Sequence, residues 1–303
     1  MNARFLLASV LALLVLSCLV SAQEQQPTKV AVGVYVLNVG KFEVSSGSYS
    51  VDFYLSLKCE NECDSSNFEF MNGRATSVDN LIDEPNEKFY RIQALLSENI
   101  DLKDYPFDSH ALSITLEDKR KPLAEQEYVV DEKNSGIDPA VTLVGWELQG
   151  WNASVEKHEY KEYGETYSRY KFDIKIKRIF LAAIMKTFLP VIFIVIAGLL
   201  ALLIEEADKL WTRVGITTSS LIAAVMFHLN VTSSIPPVGY LTFADKFMLL
   251  TYVVLTLALL STVLMMMHAK RGEEETAKKI FKVSLFGIPF FAAAIYLILF
   301  FAQ

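Results

Sequence analysis

Residues 213–236 form an apolar stretch that is too polar for a helix facing lipid. It opens Arg213-Val214-Gly215-Ile216-Thr217-Thr218-Ser219-Ser220, becomes apolar, and closes on Asn230-Val231-Thr232-Ser233-Ser234. Its three neighbours, 179–204, 245–268 and 280–301, are apolar almost throughout. Each has the roughly 20 residues that a helix needs to cross a bilayer. Backbone amides in hydrocarbon must be satisfied within their own segment, so all four stretches are expected as helices. A hydroxyl-rich span among three apolar ones fits best where it faces water inside the membrane. That points to a pore.

Charge divides the rest of the chain. Residues 23–178 carry 28 Asp and Glu against 18 Lys and Arg, and the remainder 7 against 10, so the net charge of −7 joins an acidic half to an apolar one. Residues 1–22 read as a secretory signal, with Arg4 as the positive start, Phe5 to Leu16 as the apolar run and Val20-Ser21-Ala22 as the cleavage site. An uncleaved anchor helix is the rival reading. The expected domains are then the signal 1–22, an exported domain 23–178 and a membrane domain 179–303. Spans are expected near 179–204, 212–236, 245–268 and 280–301, with a short cytoplasmic loop at 269–279. This topology leaves the first domain and the C-terminus on the extracellular or periplasmic side of the cell (inner) membrane. It puts Lys270, Arg271, Lys278, Lys279 and Lys282 in the cytoplasm, as the positive-inside rule prefers. Cys59 and Cys63 lie in an oxidising compartment, where they either close a small disulfide loop or stay as two thiols. No His is near enough in sequence to make them a metal site.

Short alternating runs fill residues 30–178. Tyr49, Val51, Phe53, Leu55 and Leu57 alternate with polar neighbours, as do Leu112, Ile114 and Leu116, and again Phe172, Ile174 and Ile176. A period of two marks half-buried antiparallel strands, and turn signals such as Ser46-Gly47-Ser48 and Asn134-Ser135-Gly136 fall between them. An antiparallel β-sandwich of roughly ten strands is the expected fold. The Gly-rich phosphate loop, Gly-x-Ser-x-Gly and His-Glu-x-x-His are all missing, since His158-Glu159 lacks its second His. Nothing points to catalysis, a cofactor, a metal or a nucleic-acid partner.

Four stretches together resemble the pentameric ligand-gated ion channels, the Cys-loop receptor superfamily, in its prokaryotic form. Tyr105-Pro106-Phe107-Asp108-Ser109-His110 is similar to the family's aromatic-Pro-Phe-Asp-x-Gln turn, with His110 in the Gln place. The cysteines that bracket this turn in animal receptors correspond here to Glu98 and Leu112. Arg178, twelve residues before Pro190, resembles the junction of last strand and first span. Arg213-Val214-Gly215 running to Pro236 resembles the pore-lining helix, and Pro236-Pro237-Val238-Gly239-Tyr240 with Asp245 resembles the loop into the third span.

The resemblance implies a homopentamer, in which each chain has four identical partners and contributes its second span to a pore. Stepping by threes and fours along that span selects Gly215, Ser219, Ile222, Met226, Leu229 and Ser233, polar at both ends and apolar between. Rings of Ile222, Met226 and Leu229 would gate by dewetting. Glu205, Glu206 and Thr212 would stand at the inner mouth. Family cation channels often carry Glu where this chain has Thr212, and Arg213 occurs in both classes; the acids near the mouth and in the outer domain favour monovalent cations. An anion channel is the alternative, and Arg213 near the pore would argue for it. Pro106, Phe107 and Asp108 are implied to meet Arg178 and the Pro237–Tyr240 loop, with Glu43 joining them. The ligand site implied between subunits has Tyr160, Tyr163, Tyr167 and Tyr170 as candidates, with Tyr90 and Tyr128 from neighbouring strands. Tyrosine faces beside Glu159, Glu162 and Glu165 suit an amine or another cation, and protons are the other agonist class. His228, off the stripe, is expected as a buried hydrogen-bonded histidine ahead of a proton sensor, and Lys186 as a snorkelling cation. A membrane-anchored sensor that conducts nothing is the alternative from another class; a transporter lacks the internal repeat and charged midplane site.

Overall fold

The computed structural model describes residues 26–61, 64–206 and 209–301. The signal read at 1–22 and Cys63 lie outside the described residues. Cys59 is disulfide-bonded.

The alternating runs become strands packed in two sheets. One sheet runs in the order β4 (Gly73–Glu84), β5 (Glu87–Ser97), β2 (Ser48–Cys59), β1 (Thr28–Val39) and β7 (Gln126–Val130), with β8 (Gly136–Ile137) also on β1. The other runs β3 (Phe68–Phe70), β6 (Ser109–Asp118), β10 (Glu165–Arg178) and β9 (Trp146–Tyr160). Val51, Phe53, Leu55 and Leu57 of β2 face Leu112, Ile114 and Leu116 of β6 and Phe172, Ile174 and Ile176 of β10, and all are buried in one core. Side chains one residue away point to the opposite face, as the pleat requires, and on β6 Ser113 and Thr115 are covered there too. Most pairings are antiparallel, but β1 pairs in parallel with both β7 and β8, which alternation cannot reveal.

Four helices follow: α1 (Phe180–Leu203), α2 (Leu210–Thr232), α3 (Phe243–Lys270) and α4 (Glu274–Phe301), each long and apolar enough to cross a membrane. The protein is a multi-pass membrane protein with an N-terminal β-sandwich. In α1 a π turn at Ile184–Phe188 precedes Pro190, where the missing N–H breaks the α-helical ladder. Gly198 lets α1 approach its neighbours closely, since a Cβ there would run into Leu255 of α3 and touch Ser220 of α2. Two boundaries differ from the sequence reading. The second span ends at Thr232, before the Pro236-Pro237 pair that cannot be helical. The link between α3 and α4 shrinks from 269–279 to residues 271–273, because Glu274 and Glu275 occupy the first turn of α4, where the helix dipole favours acids.

Candidate pore helix and coupling junction

Every residue of the stripe selected on the second span, Gly215, Ser219, Ile222, Met226, Leu229 and Ser233, is exposed in the single chain. Ile222, Met226 and Leu229 are 58%, 62% and 59% exposed. The opposite face, Leu210, Arg213, Thr217, Ser220, Ala224 and Val231, is buried against the bundle. The four consecutive hydroxyls do not all meet water: a helix turns about 100° per residue, so only Ser219 joins the stripe. Thr217 is buried and donates to the Arg213 carbonyl at 2.9 Å.

Arg213 is fully buried, turned from the stripe into the end of the bundle far from the sandwich. Its guanidinium donates to Ser261 Oγ of α3 at 3.0 Å, to Ser284 Oγ of α4 at 3.4 Å, to Met265 Sδ at 3.3 Å and to the Leu202 and Ile204 carbonyls at 3.5 Å. Those carbonyls belong to the C-terminal end of α1, where the helix dipole attracts a cation. No carboxylate among the described residues pairs with it. Thr212, next to it, is exposed beside Gly215. Glu206 pairs with Lys209, and Glu205 lines a cavity of about 300 Å³ between α2, α3 and α4 with Met265, Glu274 and Lys278.

At the other end the two domains meet. Asp108 accepts from both sides of the Arg178 fork, Nε at 2.7 Å and Nη2 at 3.0 Å, and from His110 Nε2 at 2.7 Å. The guanidinium lies 4.3 Å from the Trp146 ring centre and 5.1 Å from that of Tyr105. Burial would raise the Asp108 carboxyl, but the bonds from His110 and Arg178 hold it down to about 2. Pro106 is buried, and Phe107 projects into the end of the bundle nearest the sandwich. There it meets Phe180 at 5.1 Å, Phe188 at 5.5 Å, Phe243 at 5.7 Å and Phe300 at 6.4 Å. The backbone completes the joint: Phe243 N–H donates to the Lys103 carbonyl, Ala244 N–H to that of Tyr105, and Leu102 N–H to the Tyr240 hydroxyl. Two expected members stand apart. Glu43 pairs with Lys41 inside its own turn, and Pro237 is exposed in the α2–α3 link.

The tyrosine candidates split by strand parity. Tyr90, Tyr128 and Tyr170 occupy inward positions and are 6%, 2% and 0% exposed, so they belong to the core and not to a surface site. Tyr160, Tyr163 and Tyr167 cluster at the tip of the β9–β10 hairpin, where Gly164 turns with φ +66°. The Tyr160 hydroxyl donates to Glu117 at 2.9 Å and that of Tyr167 to Glu165 at 2.8 Å. Arg169 also binds the buried Glu117; neither residue was singled out in the sequence.

His228 is hydrogen-bonded as expected, between Tyr252 Oη at 2.9 Å and Asp245 Oδ1 at 3.0 Å of α3, but it is half-buried rather than buried. Trp146, Phe188, Phe243, Phe300 and Tyr252 are contact residues that no motif announced. Their signal lies in register and packing, not in local sequence.

No protein-family model matches the chain. It is similar to a proton-gated ion channel of Gloeobacter violaceus, 23% identical over 188 residues, which is 62% of this chain and 51% of that protein. The chain thus matches about half the length of this relative. The match agrees with the resemblance to the pentameric ligand-gated ion channels carried by the motifs, and with a β-sandwich followed by four membrane-length helices.

Proposed function

We propose that five copies of this chain surround a ligand-gated pore lined by α2. The observation that carries this reading is the unpartnered face of α2. Six residues chosen at helical spacing are all exposed, polar at both ends and apolar between, while the opposite face packs into the bundle. Fivefold repetition would give the apolar residues a dewetting constriction and the hydroxyls a wetted approach. Phe107 and the Asp108–Arg178 pair would pass movement of the sandwich to the outer ends of the helices. The N-terminal domain would then face the periplasm or extracellular space, with an acidic surface that concentrates cations. Burial of Arg213 away from the stripe supports reading the chain as a channel for monovalent cations. An amine or other cation would bind at Tyr160, Tyr163 and Tyr167 between subunits; the name of the relative makes protons the second agonist class. Purified protein in planar bilayers under opposed sodium and chloride gradients is expected to give unitary currents reversing near the sodium potential. Reversal near the chloride potential would refute cation selectivity, and silence at every ligand and pH condition would favour a non-conducting sensor.

A further inference from the structure

His228 occupies a position on α2 that none of the roles above uses. It follows Met226 by two residues and immediately precedes Leu229, so it flanks the apolar stripe near its outer end. Its ring spans to α3, with Nε2 3.0 Å from Asp245 Oδ1 and Nδ1 2.9 Å from Tyr252 Oη. Asp245 is held independently of the imidazole. It is the third residue of a capping box, and its Oδ2 accepts from the Thr242 N–H and hydroxyl, both at 2.8 Å. The N-terminus of α3 favours its negative charge. Tyr252 lies seven residues on, two turns along the same face of α3.

We propose that the His228–Asp245–Tyr252 cluster is a proton-binding site through which acid opens the pore; this rests on the channel reading and names the ligand for it. A neutral imidazole has one N–H, which Asp245 takes, while Nδ1 accepts from the Tyr252 hydroxyl. The imidazolium donates at both nitrogens, and the Tyr252 hydroxyl turns its proton away. Both ring nitrogens keep a partner in both states, so the charge can change without breaking the link between the helices. Imidazole changes charge between pH 5 and 8, unlike the other common side chains. In a poorly solvated site, replacing the neutral donor of a bond to a carboxylate by an imidazolium turns it into an ion pair and strengthens it. The tightened link draws the outer part of α2 towards its own α3. Since α3 lies behind the face opposite the stripe, that movement takes Leu229 and Met226 away from the pore axis. Protonation therefore favours the wider pore.

Other titratable groups on the packed elements do not compete for the ring. Lys246 of α3 and Lys186 of α1 make no bond to the cluster among the described residues, and Tyr296 of α4 is engaged with Thr251 at 2.8 Å. From the outer domain, Tyr105 reaches Ser234 at 3.4 Å, while Lys103 and Asp101 pair with each other.

The test is the full chain in planar bilayers between pH 7.5 and 4.5, wild type against His228→Gln. Wild-type open probability should rise with acid. In His228→Gln the midpoint should move by about one pH unit or more, tenfold in proton concentration, or the response should vanish with pentamers intact on size exclusion. Asp245→Asn should shift the midpoint in the acid direction, and it carries the test if His228→Gln fails to assemble. A wild-type midpoint retained in both variants overturns the proposal while leaving the channel reading intact. If no variant conducts, the channel reading fails by itself, and NMR titration of the His228 imidazole in nanodiscs decides the site. A transition between pH 5 and 8 that moves with Asp245→Asn supports it, and a flat or unmoved signal refutes it.

Discussion

Replacing Arg178 by Ala leaves the Asp108 carboxylate buried with His110 as its one remaining side-chain partner. Asp108 is 2% exposed, and its carboxyl sits at about 2 against the ordinary 3.8. That difference corresponds to about 2 kcal/mol of net favourable interaction for the charged form. Because the folded value lies below the unfolded one, this contribution is complete above pH 4 or so and is lost as the pH falls towards 2. Neutral pH is therefore the place to measure it. Arg178→Ala and Asp108→Ala should each cost about 3 kcal/mol, since each strands a buried partner. The double variant should recover about 2 kcal/mol of the summed loss. In thermal unfolding of the purified protein, each single variant should melt roughly 5 °C or more below wild type. Arg178→Lys should retain less than half of the coupling, because a single ammonium cannot reproduce the fork. Losses that add to within about 0.5 kcal/mol would show that the two residues act separately and would refute the reasoning.

Other consequences follow from the α2 geometry. Ile222→Ser and Leu229→Ser should each raise open probability in the absence of ligand, by wetting the constriction; unitary recordings check this. Arg213→Met fills similar space without the buried charge, so it should assemble and leave the reversal potential unchanged. A shifted reversal potential would put Arg213 at the ion path after all. Neutralising Glu205 and Glu206 to Gln should lower single-channel conductance for sodium at low salt, with the effect fading above ~0.15 M as screening shortens.

The sandwich was legible because its strands carry a period of two that the core enforces, as Val51, Phe53 and Leu55 show against Ser50, Asp52 and Tyr54. The exposed face of α2 was legible for the same reason at helical spacing. Contacts across elements were not. Counting outward from the hairpin, where Glu165 pairs with Tyr160, would place Glu147 opposite Arg178 and suggest an ion pair there. An irregularity between Lys175 and Ile176 shifts the register by one and brings Trp146 to Arg178 instead. The tyrosine candidates failed where residue type was weighed without parity: Tyr170 shares the inward side with Phe172, while Tyr163 sits in the turn. Arg213 could be placed on the back face by spacing, but its acceptors come from α1, α3 and α4, which no motif on α2 encodes.

Cysteine accessibility along α2 tests the conducting path most directly. Ser219→Cys, Met226→Cys and Leu229→Cys face the exposed side of the helix, and Thr217→Cys and Ala224→Cys the buried side. With the protein conducting in bilayers, a water-soluble cationic thiol reagent should block current through the first three variants and leave the last two unchanged. Equal modification of both faces, or block confined to Thr217→Cys and Ala224→Cys, would contradict a pore lined by this stripe.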